Sequence, residues 1–120
     1  MNNLRNKVTL IGRLGAKPEV MKFESGRTLA RFSLATNDRY PDGKGGWKDD
    51  TQWHNINAWG KTAENMSKHL DKGNEIILDG RLVHQQFNTK NGEKRYATIV
   101  EANDFALLMT KKETTEASAN

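Results

Sequence analysis

No cysteine occurs among the 120 residues of this chain. Disulfides, thiolate metal sites and cysteine nucleophiles are excluded, and the absence fits a cytosolic protein. Long apolar runs are missing too. No run approaches the length of a membrane span, and the opening MNNLRNKVTLIGR carries charges where a secretory signal would be apolar. Met1 is therefore expected to be the natural start of an intracellular protein. Apolar residues make up only 35% of the chain, against 28% charged. That suffices for one domain and one core, not two, and self-association is expected to add to a modest stability. Catalytic signals are weak as well. His54, His69 and His84 fall on different elements without ligand spacing. There is no glycine-rich phosphate loop and no nucleophile elbow. Asp38, Asp49 and Asp50 sit in a glycine-rich stretch, a poor scaffold for paired carboxylates. Neither enzyme activity nor a metal or cofactor is expected.

The formal net charge is +4. The excess lies in residues 1–50, with ten Lys or Arg against six Asp or Glu; residues 51–110 balance at seven of each. A modest basic excess favours polyanionic partners.

Alternation then supplies the elements. Lys7 to Leu14 predicts a first strand, with Val8, Leu10, Gly12 and Leu14 on one face. Val20 to Phe23 adds a short extension, closed by a turn at Ser25-Gly26. Thr28 to Thr36 predicts a second strand with Ala30, Phe32 and Leu34 inward and Arg31 and Ser33 outward. Asn37 to Asp50, with its glycines and proline, reads as a mobile loop. Thr51 to Gly60 predicts a third strand. Lys61 to Lys72 predicts the one helix, with Ala63, Met66 and Leu70 inward, Glu64 in its first turn and Gly73 as its stop. Asn74 to Val83 predicts a fourth strand with Ile76, Leu78 and Leu82 on one face. Gln85 to Tyr96 predicts a hairpin with a type I′ turn at Asn91-Gly92. Ala97 to Met109 predicts a last strand, irregular near Asn103-Asp104. This order matches a mainly-β, five-stranded oligonucleotide/oligosaccharide-binding (OB) barrel with one helix between its third and fourth strands and long hairpin loops. Residues 1–110 form the expected domain; 111–120 are expected to be a short disordered tail.

The third strand poses a problem. In TQWHNINAW, Trp53 and Trp59 share a face with Thr51, Asn55 and Asn57, while Ile56 and Ala58 take the other. Tryptophan thus stands on the wet side. A register slip of one residue would instead put both rings in the core. Tyr40, Trp47 and Phe87 also fall outside the predicted core, Trp47 either as a binding residue or as a cover for the barrel. Such rings suit base stacking on unpaired strands, at roughly 1–3 kcal/mol per base. Arg13, Arg31, Lys48, Lys61, Lys72, Arg81, Lys94 and Arg95 are among the cations that could meet phosphates; any one of them alone is more often a solvated charge, and the set is more informative than its members. His54 is expected to be a satisfied buried or interface histidine.

The segments NKVTLIGRLGAKPEV, ARFSLATN, TQWHNINAWGKTAENMSKHLDKGNEIILDGRL and NGEKRYATIV resemble the bacterial single-stranded DNA-binding protein family, over about residues 6–108. The resemblance implies an OB-fold homotetramer without enzymatic activity that wraps unpaired DNA during replication, recombination and repair, in the cytoplasm and at the nucleoid. It matches Tyr40, Trp53, Trp59 and Phe87 to the family's stacking rings and Lys61 and Lys72 to commonly basic positions. It places Lys7, Val8, Thr9, Leu10 and Ile11 at a subunit interface, where His54 is also expected. Two departures stand out. Val83 to Gln86, VHQQ, carries only a histidine where relatives are rich in Arg or Lys. The ending ETTEASAN has no acidic, hydrophobic tip, so the usual tail-recruited protein partners are not expected. An assembly module of a replication-restart complex, with incidental strand binding, is the competing reading; a metal-dependent nuclease is a third.

Overall fold

Apolar residues at every second position build most of this molecule. A computed structural model describes residues 4–110, with β1 (Val8–Leu14), β2 (Glu19–Lys22), β3 (Thr28–Pro41), β4 (Trp47–Trp59), α1 (Gly60–His69), β5 (Glu75–Asn88) and β6 (Lys94–Met109). The strands lie in the order β1-β5-β6-β4-β3-β2, and β1 also pairs with β3. Five strands thereby close on themselves, and β2 extends the outer edge of β3. Only β4 and β6 run parallel. The expected OB barrel is present, with its helix between β4 and β5. The expected tail, 111–120, lies outside the described residues.

Inward positions form the core. Leu34, Ile56, Met66, Ile76 and Leu78 are the largest fully buried side chains, joined by Leu14, Ala30, Phe32, Ala58, Ala63, Leu70, Val100 and Ala102. Burying a side chain of the Leu or Ile class contributes roughly 1.5–3 kcal/mol. Val8 and Leu10 pack against this cluster. At Arg13 and Leu14, β1 meets Ala35 and Leu34 of β3, which closes the barrel. Gly12 permits that closure, because a Cβ there would overlap the Ala35 carbonyl oxygen.

The structure corrects several expectations. The supposed loop at 37–50 is mostly strand: β3 and β4 pair without a break from Leu29↔Trp59 to Pro41↔Trp47. Its polar composition reflects water on both faces of a projecting ribbon rather than loss of pairing. The ribbon turns at Asp42, whose Oδ1 accepts the Lys44 and Gly46 N–H groups at 2.7 and 3.0 Å. The hairpin at Gln85 is likewise the outer half of a second ribbon, β5–β6, paired to Asn88↔Lys94. Its turn is not type I′, since only Gly92 has positive φ, at 81°; Asn91 does not. The Gly92 N–H donates to the Thr89 oxygen and the Thr89 N–H to the Glu93 oxygen. That is a three-residue loop ending in a left-handed glycine.

The helix is shorter than expected. It ends at His69, and Leu70 is already extended at ψ 144°. The helix also begins at Gly60, one residue before the expected start, so Glu64 lies beyond its first turn, which holds no acidic residue. Leu70 still reaches the core, while Asn74 Oδ1 accepts the Asp71 N–H at 2.7 Å and closes the following turn. Gly73 redirects the chain into β5 rather than stopping the helix; its N–H donates to the Leu14 oxygen. Leu82 is exposed, because it lies past the core at the root of the β5–β6 ribbon. The irregularity near Asn103 is present. The β5–β6 register shifts between Asp79 and Gly80, leaving Asn103 as the extra residue.

Candidate nucleic-acid interface

Residues directly opposite in a ladder share a face, so register alone sorts the aromatic residues. On β4, Trp47, Trp53 and Trp59 share the outer face with Asn55 and Asn57, and across the ladder with Arg31, Ser33 and Ala35 of β3. The same face continues through the parallel pair Asn55↔Ile99 and the pairs Val83↔Ile99, Gln85↔Ala97 and Phe87↔Arg95. Trp47, Trp53, Trp59 and Phe87 therefore look the same way, with Arg31, Arg81 and Arg95. Successive tryptophans on β4 are six residues, or about 20 Å, apart. On the barrel face of β3 and β4, between Lys17 and Glu19 on one side and the root of the β5–β6 ribbon on the other, runs a groove of about 540 Å³, lined by Arg31, Ser33, Asn55, Asn57, Trp59, Gln85 and Ala97 among others.

The rings are held differently. Trp53 is 62% exposed. Its edge rests over Gly15, where a Cβ would lie 2.8 Å from Cζ3. The Gly15 N–H is tied to the Ser33 oxygen at 3.0 Å, so the platform sits on fixed backbone. Trp47 is equally exposed, and the Arg39 guanidinium lies 5.7 Å from its ring centroid. Trp59 is only half-exposed. The Phe23 ring stacks at 5.9 Å and 28°, and the Arg27 guanidinium lies 4.2 Å from its centroid. The register slip that would bury Trp53 and Trp59 has not occurred, since Ile56 and Ala58 occupy the core.

Other predicted residues lie away from this face or are held there by partners within the chain. Tyr40 and Lys48 oppose each other across β3–β4 on its reverse, and Lys94 lies on the reverse of β5–β6. Lys61 is exposed on α1, and Lys72 in the turn before β5. Arg13 shares the outer row with Ala35 and Trp53, but its guanidinium donates to the Gly73 oxygen at 3.0 Å and lies 4.0 Å from Glu75. Arg31, Arg81 and Arg95 are each within 4 Å of a carboxylate, on Glu19, Glu101 and Glu93 respectively. Those arginines are half-neutralised where they stand, whereas Lys48, Lys61, Lys72 and Lys94 are in no ion pair among the described residues.

Sequence reasoning missed three residues. Phe23 and Arg27 flank the β2–β3 turn and pack on Trp59. Tyr96 is 73% exposed, opposite Gln86 on the reverse of β5–β6. Its parity with the inward Val100 hid it, because a ribbon that leaves the barrel has no inside.

The expected interface on β1 divides by face. Val8 and Leu10 point into the core, so only their backbone is available to a partner. Thr9 and Ile11 are exposed, and Lys7 lies 3.7 Å from Asp79. Residues Val8 to Gly12 pair with β5 on one edge, and the other edge has no strand beside it among the described residues. His54 Nε2 is hydrogen-bonded to Thr36 Oγ1 at 3.0 Å, so that nitrogen is satisfied within the chain.

An OB barrel with projecting ribbons and a row of outward rings defines a class of oligomer-binding domain. The model of the single-strand binding protein family matches residues 5–108, and the chain belongs to that family. It is 40% identical over 107 residues to single-stranded DNA-binding protein 1 of Chlorobaculum tepidum, covering 88% of this chain and 66% of that protein. It is 38% identical over 108 residues to the single-stranded DNA-binding protein of Neisseria meningitidis serogroup A, covering 90% and 62%. A crystal structure of a deletion mutant of the single-stranded DNA binding protein from Thermus aquaticus superposes with a TM-score of 0.77 at 30% identity, covering 90% of this chain and 52% of that one. The chain thus spans about two thirds of the length of these curated relatives. Among the described residues, no helix is long and apolar enough to cross a membrane.

Proposed function

We propose that this chain binds single-stranded DNA without sequence preference, protecting it during replication, recombination and repair. Its role is binding and not turnover. The observation that carries the reading is the outer face of β4, where Trp47, Trp53 and Trp59 stand in one row beside a groove lined by amides. Unpaired bases expose flat faces that stack on such rings; a duplex hides them. Phe87 continues the platform on the second ribbon. Lys48, Lys61, Lys72 and Lys94, in no ion pair among the described residues, supply phosphate contacts, and Arg31, Arg81 and Arg95 join when their carboxylate partners give way to phosphate. Tyr40 and Tyr96 take bases where the strand passes to the reverse of a ribbon. The names of the relatives agree with this reading.

Four copies are proposed to assemble through the open edge of β1, with Ile11 and Thr9 toward the partner and Lys7 and His54 near it. Bound to unpaired DNA, the assembly would sit at the nucleoid.

Tryptophan fluorescence during titration with oligo(dT), at low and high salt and against a duplex control, tests the binding. Strong quenching by the single strand and little by the duplex is expected. Absence of quenching and of binding would leave the row of rings as a protein-docking face and overturn the proposal.

A further inference from the structure

Seven arginines occur in the sequence. Arg13, Arg31, Arg39, Arg81 and Arg95 each lie 3.1–4.0 Å from a carboxylate. Arg27 is placed differently. No carboxylate lies within ion-pair range of it among the described residues, and its guanidinium carbon sits 4.2 Å from the Trp59 ring centroid. The β2–β3 turn fixes it there. The Phe23 N–H donates to the Arg27 oxygen, and the Gly26 N–H to the Phe23 oxygen, both at 2.9 Å. Phe23 and Arg27 thus face each other across the turn, one step beyond Lys22↔Thr28 and on the same side as Met21↔Leu29, the side that carries Trp59.

A purely structural reading would have Arg27 shield the indole and do nothing more. Two features argue for more. The side chain is exposed, and among the described residues no acid is ion-paired with it. A guanidinium resting on an aromatic ring is also already ordered, so less side-chain freedom is lost when a ligand arrives. Its plane can stack a base as an aromatic ring does, while its N–H edge donates to phosphate oxygens. The geometry points to Arg27 as a nucleic-acid-binding residue that extends the Trp59 platform with a planar cation. This rests on the single-stranded DNA reading above.

The test compares the full chain with its Arg27→Ala and Arg27→Lys variants in oligo(dT) titrations over a range of salt, with thermal melts beside them. Arg27→Ala is expected to melt near the unaltered protein and to bind about fivefold or more weakly. Its salt slope should fall by about 0.7, the value for one phosphate contact on a single strand. Arg27→Lys should keep the slope and recover only part of the affinity, because it keeps the charge and loses the plane. An Ala variant that binds as well or better, with deeper Trp quenching, would mean that Arg27 masks a platform the bases need. Weaker binding with an unchanged slope would overturn the cationic role. If the unaltered protein binds no oligonucleotide, the parent reading fails and takes this one with it; if it binds and Arg27→Ala binds equally, only Arg27 is misassigned.

Discussion

Trp53 and Trp59 occupy equivalent positions in the alternation of β4, yet they carry different loads. Trp53 has most of its surface in water, with its ring edge over Gly15. Replacing it with alanine should weaken oligo(dT) binding by about 1–3 kcal/mol and leave stability within about 0.5 kcal/mol. Trp59 is half-buried against Phe23 and beneath Arg27. Trp59→Ala should lose a similar amount of binding and also about 1–2 kcal/mol of stability. Urea denaturation beside the titration separates the two effects; equal stability losses would contradict the packing difference. Asp42 offers a second test, by pH. Hydrogen bonds from the Lys44 and then the Gly46 N–H groups hold its carboxyl below the ordinary carboxylate value. A group made more acidic by the folded tip favours that tip once ionised. The contribution is therefore present at neutral pH and fades as pH falls through the lowered pKa. The Lys44 and Gly46 amide resonances should report this, moving toward open-chain positions in acid, while an Asp42→Asn variant shows no such titration.

Among the elements, the junction of β1 with β3 is the tightest demand the barrel makes on its sequence. Gly12 lies against the Ala35 carbonyl, and that backbone cannot withdraw without parting the strands. Gly12→Ala should cost about 1–3 kcal/mol, read as a lower denaturation midpoint, while Thr9→Ala on the exposed face should change it little. Gly12 appeared in the sequence only as one inward position in an alternating run. Alternation reports which way a residue faces, not how near the opposing backbone comes. The same limit explains the other differences. Within the barrel, one wet and one dry face made the inward set of β3 and β4 legible, from Ala30, Phe32 and Leu34 to Ile56 and Ala58. Beyond residue 36 both faces meet water, the contrast vanishes, and strand reads as loop. Trp53 and Trp59 were legible as platform residues because they interrupt a polar face. Phe23 and Arg27 were not, because their meeting with Trp59 comes from the β2–β3 register, which a four-residue strand does not announce. Tyr40 was legible as exposed, but its place on the reverse of the ribbon needed the unbroken ladder to Pro41.

As a whole molecule the chain is more extended than its length requires. Its radius of gyration is 16.7 Å, against about 13 Å for a compact domain of this size. The difference lies in the two ribbons, which carry binding surface and little core. Such a shape leaves a small barrel to stabilise long arms, and among the described residues the β1 edge is open. An open edge flanked by an exposed isoleucine invites pairing with another chain. Two copies meeting edge to edge along β1 would be antiparallel and related by a twofold axis, so that each covers the other's Ile11 region. The unaltered protein is therefore expected to sediment as a multimer of its 13.6 kDa chain, four copies on the family reading. Ile11→Asp places a charge on that exposed face without touching the core residues Val8 and Leu10. It should shift the protein toward smaller species while its far-ultraviolet circular dichroism stays that of the barrel. It should also weaken binding to long oligonucleotides far more than to short ones, because a long strand can engage several copies at once. A variant that stays fully assembled would show that association does not use β1. An unaltered protein that sediments as a monomer would leave the open edge without its proposed partner.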